Sequence, residues 1–216
     1  MNLLLALVLA GCADDVSAGK TDAVVTAPSS AAAPAPEQAN ASSTASQVLP
    51  IDVAQSDIHA LGAKVTGTET VRFSKWSGVA QIVGGKLHGV HVDVDVTSLD
   101  TGKAKLNGHL NSADFFDTEK YPKATFQSTS IQEGSSEAGM THTVTGDLTM
   151  RGVTKSVTFP MKVQVTDERV TGEAEFAINR LDWNIAYPGA PDNLIQEKVV
   201  LTVKLVAPNP NATAER

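Results

Sequence analysis

From about residue 50 onward the chain alternates apolar and polar positions with period two. Val90, Val92, Val94 and Val96 are separated by His91, Asp93 and Asp95, and Val157, Phe159, Met161, Val163 and Val165 alternate with Thr158, Lys162 and Gln164. Val144, Leu148 and Met150 share one parity with Gly146 between them, as do Val170, Ala174, Phe176 and Ile178, and again Val199, Leu201, Val203 and Leu205. Successive side chains of a strand point to opposite faces, so this pattern predicts antiparallel sheet with one face buried and one wet. Eight segments read as strands: 56–66, 70–83, 87–98, 124–132, 141–151, 155–166, 169–180 and 196–207. Gly84-Gly85, Gly134 to Gly139, Arg151-Gly152 and Asp167-Glu168 supply turns between them. Short strands joined this way predict a sandwich or a barrel, and eight can close around an interior wide enough for one elongated small ligand.

Residues 99–123 break the rhythm and are too long for a hairpin turn. In KAKLNGHLNSADFFD, Leu106 and Leu110 stand at i, i+4 and are followed by Phe115 and Phe116. This predicts one or two short helices capping a barrel mouth, although Gly108 weakens the helical pattern.

Before residue 50 the alternation is lost. Residues 13–49 are dominated by Ala, Ser, Thr, Pro and Asp, a composition with too little apolar surface to fold, and read as a flexible tether. Residues 209–216 read as a disordered tail, leaving 50–208 as the folded domain. The chain opens MNLLLALVLAGCADD, where Leu3 to Ala10 is an unbroken apolar run. That is far short of the ~20 residues that span a bilayer but suits the core of an export signal over residues 1–11. Leu9-Ala10-Gly11-Cys12 resembles a bacterial lipobox, which predicts cleavage before Cys12 and lipid on its thiol; the alternative is a chance cysteine beside an apolar run. Only Met1 and Asn2 precede the apolar run, without the basic residues usual in a signal, so the true start is expected upstream. Ala13, rather than Asp, after the cysteine favours the outer over the inner membrane.

Bulk composition narrows the function. Aromatics are only 5% of the chain, and the net charge is −7. An acidic chain without a basic stripe is a poor nucleic-acid binder. A single cysteine, Cys12, excludes an internal disulfide and leaves no thiol for nucleophilic chemistry once lipidated. No Walker loop, Rossmann fingerprint or G-x-S-x-G elbow is present.

Three constellations merit weighing. Asp114, Asp117 and Glu119 are potential paired acids, but they lie beside Lys120 and Lys123 in a turn ended by Pro122, and Asp114 or Ser112 more simply caps a short helix. His91, Asp93 and Asp95 are metal-ligand types on one strand face. At ~6.7 Å per step along a strand they cannot converge on one ion without neighbours, so a solvated face is the simpler reading. Arg180 and Asp182 suggest a pair stabilising a barrel end, or an arginine that meets a polar headgroup.

Three separated motifs resemble one family. HLNSADFFDTEKYPKATFQS is similar to the signature run of the YceI-like bacterial periplasmic proteins, THTVTGDLTMRGVTKSVTFP to the family's hairpin motif, and FAINRLDWNI to its Arg-containing motif. The resemblance covers about residues 51–206. It implies a lipocalin-like, eight-stranded antiparallel barrel with a long apolar tunnel for a polyisoprenoid chain, such as an isoprenoid quinone or polyprenyl phosphate. The sequence departs from the family at Gln55-Ser56, where many members have His-Ser, at Ala60, where a Phe is expected, and at Asp182-Trp183-Asn184, where Asp-Phe-Gly is usual. These changes bear on the ligand more than on the fold.

The combined reading is an all-β, non-enzymatic lipoprotein of the cell envelope, without a cofactor or metal, whose barrel binds an apolar isoprenoid lipid. Phe73, Phe126, Leu148, Met150, Phe159, Met161 and Phe176 are the expected lining residues. Leu110, Phe115, Phe116, Tyr121 and Trp183 are further ligand-binding candidates, with Phe115 and Phe116 near the mouth. The alternative is a barrel with a filled core, acting as a stress or interaction module without lipid cargo.

Overall fold

The structure, a computed structural model, describes residues 15–28 and 46–209. The predicted signal segment, Cys12 and residues 210–216 of the expected tail lie outside the described residues.

Strands form wherever the sequence alternates. In chain order they are β1 (Thr21–Asp22), β2 (Val24–Thr26), β3 (Ser46–Pro50), β4 (Asp57–Lys64), β5 (Gly67–Phe73), β6 (Trp76–Val83), β7 (Lys86–Asp95), β8 (Leu99–Asp100), β9 (Lys123–Glu133), β10 (His142–Met150), β11 (Val153–Val165), β12 (Arg169–Asn179), β13 (Gly189–Ala190), β14 (Asn193–Leu194) and β15 (Lys198–Pro208). One α-helix, α1 (Ala104–Asn111), lies between β8 and β9. Thirteen of the strands join one sheet in the order β3-β6-β7-β9-β10-β11-β12-β15-β4-β5-β8, with β1 on β12 and β2 on β11, while β13 and β14 form a separate hairpin. After β3 the chain bridges the two halves: Ile51 N donates to Gly78 O and Asp52 N to Val206 O, so the sheet curls round into an antiparallel all-β barrel.

The strand count exceeds the eight expected: β8, β13 and β14 are two-residue strands outside the expected segments, and three local features add the rest. The segment 70–83 is two strands, because Ser74 N donates to Ser98 O and Lys75 N to Ser98 Oγ, pinning a corner between β5 and β6. Strand β3 begins at Ser46, before the expected domain boundary, and pairs with β6. The third feature is the stretch Asp15–Pro28, expected to be slack tether, which lies against the barrel. β11 and β12 pair with each other only over Lys162–Val165 and Val170–Glu173. Beyond that they part. β2 takes up the free edge of β11, with Val25 opposite Val157, and β1 runs parallel to β12, with Thr21 opposite Phe176. Ala23 and Val25 point inward and pack on the core.

The buried face divides into two apolar clusters. The larger joins Leu49, Val90, Val92, Val144, Val157, Phe159, Met161, Phe176 and Trp183 among others. The smaller lies under α1 and contains Ala60, Val71, Val96, Leu99, Leu110, Phe115 and Ile185. Leu201 packs against both.

Candidate functional site

Strand parity places the predicted lining residues in two groups. Phe126, Leu148, Met150, Phe159, Met161, Phe176 and Trp183 belong to the larger cluster. Phe159 and Phe176 stack with ring centroids 4.1 Å apart, and Phe126 tilts against Phe159 at 5.8 Å. Phe73, Leu110, Phe115 and Phe116 belong to the smaller cluster, where Phe73 meets Phe116 edge to face at 6.5 Å. Tyr121 lies instead against the β10–β11 turn, its ring covering Gly152.

The smaller cluster also contains residues that sequence reasoning missed. Tyr187 packs 5.3 Å from Phe115 and 4.8 Å from His109, and His109 meets Phe115 at 5.0 Å. Ile185 and Ile195 join them. All three missed residues sit in the irregular stretch between β12 and β15, where no periodicity marks a buried side. At the other end of the larger cluster a wholly apolar cavity of about 10 Å³ is lined by Met161, Gly172, Val170, Leu87, Ile51 and neighbours. It is close to the size of one water and has no polar lining to hold one.

Polar residues near the smaller cluster serve as joints. Ser112 does not start a helix; it ends α1, its Oγ donating to His109 O at 2.7 Å. Asp114 meets His109 Nε2 at 3.1 Å, while Asp117 takes φ 51° and its carbonyl accepts from Lys120 N and Tyr121 N. Asp114 and Asp117 thus hold the local backbone, with Thr118 Oγ1 donating to Asn111 Oδ1 at 2.9 Å below them. Arg151, at φ 47° in the β10–β11 turn, donates to Ala113 O at 2.6 Å and to Asn184 O. One guanidinium thereby ties together the three motifs that carried the family resemblance.

Arg180 differs from expectation. It does not pair with Asp182. It is buried and donates from Nε to Gln196 O at 3.0 Å, from Nη2 to Ile195 O at 3.2 Å and from Nη1 to Ile185 O. Burial lowers its pKa and nearby Glu197 opposes that shift, yet a guanidinium stays charged at any physiological pH. Trp183 is fully buried, and its Nε1 donates to Leu148 O at 3.0 Å, locking the end of β12 to β10. His91 Nε2 bonds Asp93 Oδ2 at 2.8 Å, and Asp95 caps the next turn through Thr97 N. Among the described residues no cluster of three metal-ligating side chains is present, and no helix is long and apolar enough to cross a membrane.

The YceI-like domain matches residues 49–207, most of the chain. Protein YceI of Escherichia coli O157:H7 is 45% identical over 102 residues, covering 44% of this chain and 51% of that relative, so the match spans about half of the relative's length. Among solved structures, BcnA of Burkholderia cenocepacia aligns with a TM-score of 0.64 and 26% identity, over 73% of this chain and 99% of that one. A domain from Saccharophagus degradans, described as a polyisoprenoid binding domain implicated in plant cell wall breakdown, shares the fold with a TM-score of 0.57 and 20% identity, over 76% of this chain and all of its own. This chain belongs to the YceI-like family.

Proposed function

We propose that this chain is a lipoprotein of the cell envelope whose barrel takes up a long apolar isoprenoid, of quinone or polyprenyl type, for carriage or sequestration. In this reading residues 1–11 are an export signal, Cys12 carries the acyl anchor, and the outer membrane is its site. The observation that carries the binding role is the apolar continuity of the interior, from Phe73 and Phe116 under α1, past Leu201, to the stacked Phe159 and Phe176. The binding described for the Saccharophagus degradans relative supports the same reading.

The mechanism is burial without a covalent step. Each Å² of isoprenoid surface removed from water stabilises the complex by ~25 cal/mol. Pockets for ligands of this size occupy ~300–1,000 Å³, whereas the apolar cavity near Met161 is about 10 Å³. In this reading the side chains that adjust around the isoprenoid are the unbranched Met161 beside that cavity and the phenylalanines meeting at 4.1–6.5 Å.

The close stacking of Phe159 on Phe176 favours a second reading, the filled-core barrel without cargo. Organic extraction and mass spectrometry of the full-length protein purified from membranes distinguish the two. Isoprenoid in stoichiometric yield, lost in Phe116→Ala and Phe159→Ala, is the expected result. A lipid-free wild type, with Phe159→Ala losing about 3–5 kcal/mol of stability, favours the filled core.

A further inference from the structure

We propose that the pole of the barrel carrying Val65 and Leu194 rests on the bilayer, held there by a leash of three residues. The proposal builds on lipidation of Cys12. A slack arm from Cys12 to the barrel would leave its orientation free. The segment from Asp15 is not slack. Asp15 Oδ1 accepts from Ser17 N at 2.9 Å and from Ser17 Oγ at 2.7 Å, Ser17 is buried, and Val16 N donates to Gln196 Oε1 at 3.3 Å. From there the chain enters the gap between β11 and β12 through β1 and β2, with Lys198 paired to Asp22 at 2.7 Å. From Cys12 to Asp15 an extended chain reaches only about 11 Å. Whatever surrounds Val16 must therefore lie within that reach of the acyl chains.

What surrounds Val16 is one pole. Gln196 N donates to Ala63 O, Val65 N to Leu194 O, and Thr66 N to Asn193 Oδ1. Val65 in the β4–β5 turn and Leu194 in β14, 50% and 52% exposed, thus stand together beside the leash. Leu181, also exposed, follows β12 at the same end. Asp192 in the β13–β14 turn and the net charge of −7 argue against attraction to anionic headgroups, so contact is made by apolar tips alongside the acyl chains.

The test uses the full-length acylated protein in phosphatidylcholine vesicles. With Cys12 acylated, a cysteine introduced as Val65→Cys, Leu194→Cys or, at the opposite pole, Val165→Cys is the one free thiol for a fluorophore. Labels at 65 and 194 should be quenched several-fold more by a lipid-borne nitroxide than the label at 165. Inserting a dozen Gly/Ser residues after Ala13 should reduce that difference. Equal, water-like quenching at all three positions on vesicle-bound protein overturns the docked pole while leaving the anchor intact. Shielding from both lipid-borne and aqueous quenchers would instead indicate a second protein copy on this face and also overturn it. An unacylated Cys12 by mass spectrometry removes the anchor and the proposal together.

Discussion

The ring of Phe126 lies against Gly146, so close that a Cβ on residue 146 would collide with its Cζ and Cε2 atoms and stand 2.7 Å from Gln127 O. Gly146 sits where the β9–β10 register shifts, and Phe126 uses the bare backbone there to reach Phe159. Gly146→Ala should displace the ring and cost about 1–3 kcal/mol, measured by denaturant titration. Gly172 looks similar on paper, since a Cβ there would strike Met161. The struck atom is a thioether methyl beside the small cavity, so Gly172→Ala should be milder, and a loss equal to that of Gly146→Ala would show the cavity is not available to Met161.

Arg180 gathers three carbonyls, at Ile185, Ile195 and Gln196, into one buried fork. Arg180→Met removes this donor fork and should cost about 2–4 kcal/mol, with residues 185–196 becoming the earliest site of proteolysis. Arg180→Lys should recover little, because an ammonium cannot span the positions a planar guanidinium reaches. A headgroup-binding role would predict the reverse: near-normal stability with lipid lost.

Acid should loosen the packing of α1 on the barrel. The Lys103 ammonium, bonded to both Glu69 oxygens, holds that carboxyl below its usual 4.5, and the Asn107 amide, with Gly102 N, holds Asp100 below 3.8. Both are lowered in the folded state, so their contribution is complete above the unfolded values and is lost as pH falls through the folded ones. Amide protection factors in α1, corrected for the intrinsic pH dependence of exchange, should fall from about pH 4.5 downward. Glu69→Gln combined with Asp100→Asn should flatten that dependence; an unchanged profile would place the acid-sensitive groups elsewhere.

Much of the barrel could be read from alternation, because one face of each long strand is buried and the other is wet. Val90, Val92 and Val96 face inward as their spacing requires, and Phe159 and Phe176 meet because they share the inward parity of neighbouring strands. Where burial does not follow a period, the sequence was silent. Tyr187, Ile185 and Ile195 enter the smaller cluster from a loop, and the partners of Arg180 are carbonyls of that same loop, whereas sequence proximity pointed to Asp182. The stretch Asp15–Pro28 escaped notice because its two strands are five residues in all, set in tether-like composition. Their inward side chains are only Ala23 and Val25, too few to register as a pattern.

That short strand pair supplies the sharpest contrast within the fold. Val24 and Val25 are adjacent valines of one strand, yet Val24 is 61% exposed while Val25 faces the core opposite the fully buried Val157. Val25→Asp would place an unpaired carboxylate in the gap between β11 and β12, and should cost about 1–3 kcal/mol or expel the segment from the barrel. Expulsion leaves the β11 edge at Ser156, Val157 and Thr158 without a partner, and an open edge invites pairing with another chain. Val24→Asp, one residue away, should do neither. Thermal melts, protease cleavage within 15–28 and sedimentation would together separate the two variants. If both behave as wild type, the segment adds nothing to the barrel and returns to being tether. If Val25→Asp alone frees residues 15–28, the first fixed point after Cys12 moves to β3, and the barrel gains the reach that the docked segment denies it.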